Sequence, residues 1–182
     1  MSLALLPNLI TVCRCGFAFL VGGLIFSEAH GSWLPLFAFA IVAATDFLDG
    51  WLARHLDAVS QIGAFLDPVA DKLLVGLSLL ALSHLEDWAL VITVPTVAIL
   101  VRDAIATGLR LYPSIDMPVS KLAKWKTALE MVGIAALLVA APSSLSMIWP
   151  VGLILVWVAA ALSVYTLGLY LGAVLADEKR PR

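Results

Sequence analysis

Charge is what this sequence has least of. Asp, Glu, Lys and Arg make up only 13% of its 182 residues, about half the share usual in a soluble domain. That scarcity excludes an ordinary water-soluble globule, and the chain has no basic arm or face of the kind nucleic acid requires. The formal net charge of −2 points to no particular partner. Cysteine is nearly missing too. Cys13 and Cys15 sit two apart inside an apolar run, a spacing that suits neither a disulfide nor a zinc motif, so both are expected to be buried structural thiols. The N-terminal stretch lacks the positively charged region of a signal peptide, and Arg14 interrupts its apolar run, so no cleavage is expected. No internal repeat or low-complexity segment is evident.

What fills the chain instead is apolar, 62% of it. Six apolar runs stand out: Leu9 to Phe26, Trp33 to Ala53, Ile62 to His84, Trp88 to Leu109, Ser120 to Ala141 and Ile148 to Leu175. Each is close to the roughly 20 residues that cross a bilayer as a helix. The expected fold is therefore all-α: a polytopic membrane protein of six transmembrane helices, with residues 1–182 forming one domain and no soluble appendage. Polar breaks separate the runs, among them Arg54-His55-Leu56-Asp57, Glu86-Asp87 and Pro142-Ser143-Ser144. Alternate connections divide by charge. One set carries Arg54, Arg110, Lys121, Lys124, Lys126, Lys179, Arg180 and Arg182; the other carries Glu28, Glu86 and Asp87 with no Lys or Arg. Positive charge follows the cytoplasmic side, which places both termini in the cytoplasm.

Four aspartates break the apolar pattern. Asp46 and Asp49 are three apart, and Asp67 and Asp71 four apart, so each pair shares a helix face. A carboxylate near the bilayer centre costs roughly 2.5–3.5 kcal/mol on insertion scales. Asp46 lies eight residues before Arg54, about 12 Å along a helix, so the cluster falls in the cytoplasmic half of the membrane. Oxygen ligands of this kind suit Mg²⁺, Mn²⁺ or Ca²⁺ better than zinc. Four carboxylates suit a pair of divalent ions clamping a phosphoryl group. Gly50 and Ala53 follow the first pair on its face, leaving room for a flat or bulky substrate, and Arg54 offers a fork for phosphate. Gly63 precedes the second pair by one turn. Spacing and composition lead this far, to a nucleotide-diphosphate site.

The pattern Asp46-x2-Asp49-Gly50-x2-Ala53-Arg54-x8-Gly63-x3-Asp67-x3-Asp71 matches every fixed position of the CDP-alcohol phosphatidyltransferase signature. The resemblance covers essentially the whole chain, because that family also has six spans. It implies an enzyme in which an alcohol hydroxyl displaces CMP from the β-phosphorus of a CDP-linked lipid, with two divalent ions, Mg²⁺ or Mn²⁺, as cofactors. Carried over, Asp46, Asp49 and Asp67 are metal ligands, Asp71 is a ligand or the general base, and Gly50, Ala53, Arg54 and Gly63 face the CDP-lipid.

Beyond the signature, Pro7-Asn8-Leu9-Ile10-Thr11 with Arg14, the run Gly63 to Lys72, Arg102 followed by an acid, and Lys124-Trp125-Lys126-Thr127 resemble the bacterial phosphatidylglycerophosphate synthase branch. That resemblance implies CDP-diacylglycerol and glycerol 3-phosphate as substrates, Asn8 on the CDP-lipid side, and the inner (plasma) membrane of a bacterium as the location, with the active site facing the cytoplasm. Arg102, Arg110, Lys121, Lys124 and Lys126 are more cations than packing requires, and together they make a candidate pocket for an acceptor bearing its own phosphate; membrane-surface anchoring is the plainer alternative for each. A similar Arg102-Asp103 and Ser120-Lys121 occur in cardiolipin synthases that use CDP-diacylglycerol, whose acceptor is phosphatidylglycerol, so that reading stands as the alternative, with phosphatidylinositol-phosphate-type synthases, which also use a phosphorylated acceptor, as a third.

Some residues stay open at this stage. Asp103 is expected to pair with a neighbouring arginine, and Glu130 with Arg14 or Arg102. Gly168 and Gly172 form a small-xxx-small pair in the last run, which serves either packing within the chain or a homodimer. The six tryptophans fall mostly near span ends, with Trp125 and Trp157 fitting that belt least well. A cation-coupled transporter is the competing class, disfavoured because transport sites lie at the midplane between repeats.

Overall fold

The computed structural model describes residues 5–27, 31–55, 61–110, 121–143, 145 and 147–178; side chains are described over 13–27, 31–45, 69–109, 122, 125–143, 145 and 147–172. Six helices follow in order: α1 Leu5–Ser27, α2 Leu34–His55, α3 Gln61–Leu85, α4 Leu90–Arg110, α5 Lys121–Ala140 and α6 Ile148–Glu178. Among the described residues there is no strand. Each helix matches one apolar run. Two of them reach further than hydropathy suggests: α2 continues through Arg54 and His55, expected as a polar link, and α6 continues past Leu175 to Glu178. Leu, Ala, Arg and Glu are good helix formers, so leaving the apolar run does not end the helix.

Backbone chemistry sets several ends. Pro35 sits in the first turn of α2, where no intrahelical donor is needed. At the end of α3 the amide of Trp88 reaches the Ser83 carbonyl (2.7 Å) and that of Asp87 the His84 carbonyl (3.0 Å). Asp87 takes the left-handed conformation, φ 49°, that usually calls for glycine there. Trp88 is left-handed as well, φ 57°, so α4 starts at Leu90, two residues later than the apolar run suggests.

α1 packs on α2 and α3, α3 on α4, α5 on α6 and α4 on α6, while α2 and α3 also touch α5. Val21, Ile25, Leu74, Leu79, Ile99, Ile134 and Val156 form the shared core. α5 and α6 approach each other closely. A Cβ on Gly133 would lie 2.9 Å from Val156 Cγ2 and 3.3 Å from the Gly152 carbonyl, and one on Gly152 would lie 3.0 Å from the Leu137 amide nitrogen. Small residues let the two backbones touch. Gly168 and Gly172 do not contribute to this, since a Cβ at either would meet nothing within 4 Å.

Pro95 lies inside α4 and cannot donate to the carbonyl of Val91, four residues before it. Trp157 of α6 supplies the missing donor: its indole Nε1 donates to the Val91 carbonyl at 2.8 Å. That bond is why Trp157 departs from the tryptophan belt. The thiols also differ from expectation, Cys13 being exposed and Cys15 only half-buried, both free. α1 presents Cys13 on its outer face beside Phe17, and Cys15, two residues on, lies off that face.

Polarity is distributed in the reverse of a soluble protein. Phe17, Phe37, Ile41, Leu90, Ile154 and Leu169 are exposed, while Arg14, Arg102, Asp103, Lys126 and Glu130 are buried. Leu90–Leu109 and Ile148–Gly172 are long and apolar enough to cross a membrane.

Candidate active site

Lys72 near the start of α3 and Lys126 near the start of α5 both reach Asp103 near the end of α4, so these three helix ends lie together. The last three turns of α2 carry Asp46, Asp49, Gly50, Ala53 and Arg54, and the first three turns of α3 carry Gly63, Asp67 and Asp71. The expected helical spacing of both aspartate pairs is therefore present in the backbone. Only Asp71 of the four has a described side chain, half-buried. The contacts expected of Asp46, Asp49, Gly50, Ala53, Arg54, Gly63, Asp67 and Asn8 lie outside the described residues, as do those of Arg110, Lys121 and Lys124. Among the described residues no cluster of three or more His, Cys, Asp or Glu is found.

Beside Asp71 in sequence, a chain of polar contacts runs across the bundle. Lys72 directs Nζ to the Asp103 carbonyl on α4 (3.2 Å) and donates to Thr107 Oγ1. Thr107 Oγ1 donates in turn to the same Asp103 carbonyl, 2.7 Å. The Asp103 carboxylate is the hub: Oδ1 accepts from Arg102 Nη1 at 2.9 Å and from Lys126 Nζ, on α5, at 2.7 Å. Lys126 also pairs with Glu130 Oε1, one turn along α5, at 3.3 Å. Ser163 Oγ of α6 donates to that Oε1 at 3.5 Å. Arg102 is held further by Thr166 Oγ1 at 3.1 Å and lies 5.8 Å above the Tyr170 ring. Charges this deep persist only when paired and hydrogen-bonded, and here two acids balance two bases.

A cleft of about 310 Å³ opens between α3 and α4 beside this chain. Lys72, Asp103 and Thr107 line its polar end, and Leu73, Ile99 and Leu100 its apolar wall.

The structure thus ties Arg102 and Lys126 of the expected set to one carboxylate and adds Lys72, Thr107 and Thr166, which the sequence does not single out. Asp103 pairs with an arginine as expected, and with Lys126 as well. The partner of Glu130, which the sequence left open, is neither Arg14 nor Arg102 but Lys126. The signal was present, since Lys126 and Glu130 are four residues apart and face each other on any helix.

Comparison with known proteins adds a family. A model described as CDP-alcohol phosphatidyltransferase matches residues 4–165. An Arabidopsis thaliana protein named CDP-diacylglycerol–glycerol-3-phosphate 3-phosphatidyltransferase 2 is 37% identical over 147 residues, 73% of this chain and 63% of the relative. A Cereibacter sphaeroides protein named CDP-diacylglycerol–glycerol-3-phosphate 3-phosphatidyltransferase is 38% identical over 142 residues, 72% of this chain and 62% of the relative. One of the same name from Rickettsia bellii is 34% identical over 166 residues, 88% of this chain and 90% of the relative. The chain thus spans somewhat less than two thirds of the length of the first two relatives and nearly all of the third.

Proposed function

Because the chain belongs to the CDP-alcohol phosphatidyltransferase family, we propose that it transfers a phosphatidyl group from CDP-diacylglycerol to glycerol 3-phosphate, giving phosphatidylglycerophosphate and CMP. The observation that carries this reading is the link from the Asp71 turn of α3, through Lys72 and Asp103, to Arg102 and Lys126. It supports a carboxylate centre that works beside buried bases suited to an acceptor's phosphate. The names of the relatives support the same substrates.

The six helices form one membrane domain over residues 1–182, spanning the inner membrane of a bacterium with both termini and the site on the cytoplasmic side. The uneven division of Lys and Arg among the connections and the exposed apolar helix faces support this placement.

The donor set fits Mg²⁺ or Mn²⁺: carboxylates alone, at one-turn spacing on each of two consecutive helices. Asp46, Asp49, Asp67 and Asp71 would hold two such ions, which when bound stabilise negative charge on the bridging phosphates. Gly50 and Ala53 leave room for the CDP moiety, and Arg54, Gly63 and Asn8 line it. Arg102, Arg110, Lys121, Lys124 and Lys126 hold the acceptor's phosphate. The acceptor hydroxyl attacks the β-phosphorus while Asp71 takes its proton. A bond forms from that oxygen to phosphorus, the bond from phosphorus to the CMP oxygen breaks, and CMP leaves. Both substrates are bound at once, and no protein-linked intermediate forms.

The test is CMP release by the purified protein from CDP-diacylglycerol, with glycerol 3-phosphate, phosphatidylglycerol or inositol phosphate as acceptor and Mg²⁺ or Mn²⁺ present. Glycerol 3-phosphate should be the productive acceptor. Release with phosphatidylglycerol alone would move the assignment to cardiolipin synthesis, and no release with any acceptor would remove the enzymatic reading.

A further inference from the structure

Asp103 and Glu130 lie outside the aspartate signature, yet both are buried, and both contact the same ammonium group. Lys126 Nζ sits 2.7 Å from Asp103 Oδ1 on α4 and 3.3 Å from Glu130 Oε1 on its own helix. An ammonium has three N–H donors, so these two acids leave one uncommitted among the described residues. Arg102 is in the same condition. Its Nη1 goes to Asp103 and its Nη2 to Thr166, while its buried Nε has no partner. The two bases are therefore tied to one carboxylate oxygen, and each keeps an unused donor.

We propose that Asp103 and Glu130 are positioning residues: they clamp Lys126 between α4 and α5, with Asp103 also holding Arg102 in place, so that the ammonium with its spare donor meets the acceptor's anionic group already oriented. This rests on the proposed reaction and deepens it. A free lysine loses much rotamer freedom when it binds a ligand, and a clamped one has lost that freedom on folding. Charge balance argues the same way. With two acids against two bases the cluster is stable in the empty site, and the incoming anion is offset by further cations, Lys72 among those nearby. The acids thus act on acceptor affinity through Lys126 and Arg102.

Kinetics with each substrate varied separately test this. Glu130→Gln should raise KM for glycerol 3-phosphate about tenfold, which corresponds to about 1.4 kcal/mol. KM for CDP-diacylglycerol should move by about twofold or less, a split that general loss of structure would not produce. Lys126→Met/Glu130→Met replaces the ion pair with apolar side chains and should stay folded. Its KM for glycerol 3-phosphate should match that of Lys126→Met alone, because Glu130 acts only through Lys126. Equal rises for both substrates, or a Glu130 effect that persists without Lys126, would overturn the clamp. If the wild type releases no CMP with any acceptor, the proposed reaction fails instead. The clamp is then judged by thermal unfolding of Lys126→Met, Glu130→Met and the double variant: non-additive shifts in Tm sustain it, and additive shifts overturn it.

Discussion

Trp157 and Val91 are joined across the α4–α6 interface by an indole N–H donating to a main-chain carbonyl at 2.8 Å, the carbonyl that Pro95 leaves without a helical donor. In a bilayer no water is present to take that role. Trp157→Phe should therefore lower stability by about 0.5–1.5 kcal/mol. Placing Ala at Pro95 restores the helical donor, so Trp157→Phe should cost less in Pro95→Ala protein. Thermal unfolding of the four variants in detergent gives the comparison, and equal costs in both backgrounds would show that the bond carries no weight.

The α5–α6 contact makes a sharper demand on side-chain size. Gly133→Ala and Gly152→Ala each place a methyl within 3.0 Å of the facing helix, against backbone in the second case. Each should destabilise by about 1–3 kcal/mol through overpacking. Gly168→Ala, which meets nothing within 4 Å, should leave Tm nearly unchanged. Tm values for the three proteins decide this.

Asp71→Asn keeps the shape of the side chain but removes its basicity. Turnover should fall by about 10²–10⁴-fold, while metal-dependent binding of CDP-diacylglycerol survives in part. Removing divalent ions with a chelator should stop turnover by the wild type, and adding back Mg²⁺ or Mn²⁺ should restore it. Full activity of Asp71→Asn in a CMP-release assay would take away the proton-accepting role.

Arg110 closes α4 two turns beyond Arg102. Arg110→Ala should raise KM for glycerol 3-phosphate by about tenfold and leave KM for CDP-diacylglycerol close to that of the wild type. A matched rise in both constants would take Arg110 out of the acceptor pocket.

All six helices are legible as apolar runs, because length and hydropathy alone decide where such a helix forms. Their ends are less so. Arg54 and His55 look like a link by hydropathy, yet they continue α2, since helix propensity does not depend on burial. Asp87 and Trp88 break the chain through left-handed φ values that neither residue type advertises. In the site, contacts within one helix could be read, as the aspartate spacings and the Lys126–Glu130 interval show. Contacts between helices could not. That Asp103 would gather Arg102 and Lys126, or that Lys72 would reach α4, depends on how α3, α4 and α5 are rotated about their axes, and no local pattern encodes that.

Asp71 and Lys72 are neighbours in sequence, separated along α3 by about 1.5 Å of rise and about 100° of rotation. One belongs to the proposed phosphoryl centre and the other is fastened to α4 beside the acceptor bases. The two halves of the site consequently share a single rigid axle. A twist of α3 that unseats Lys72 swings Asp71 through the same angle, so the two substrates should sense each other's occupancy, and binding of either should be tighter when the other is present, without any lid to close over them.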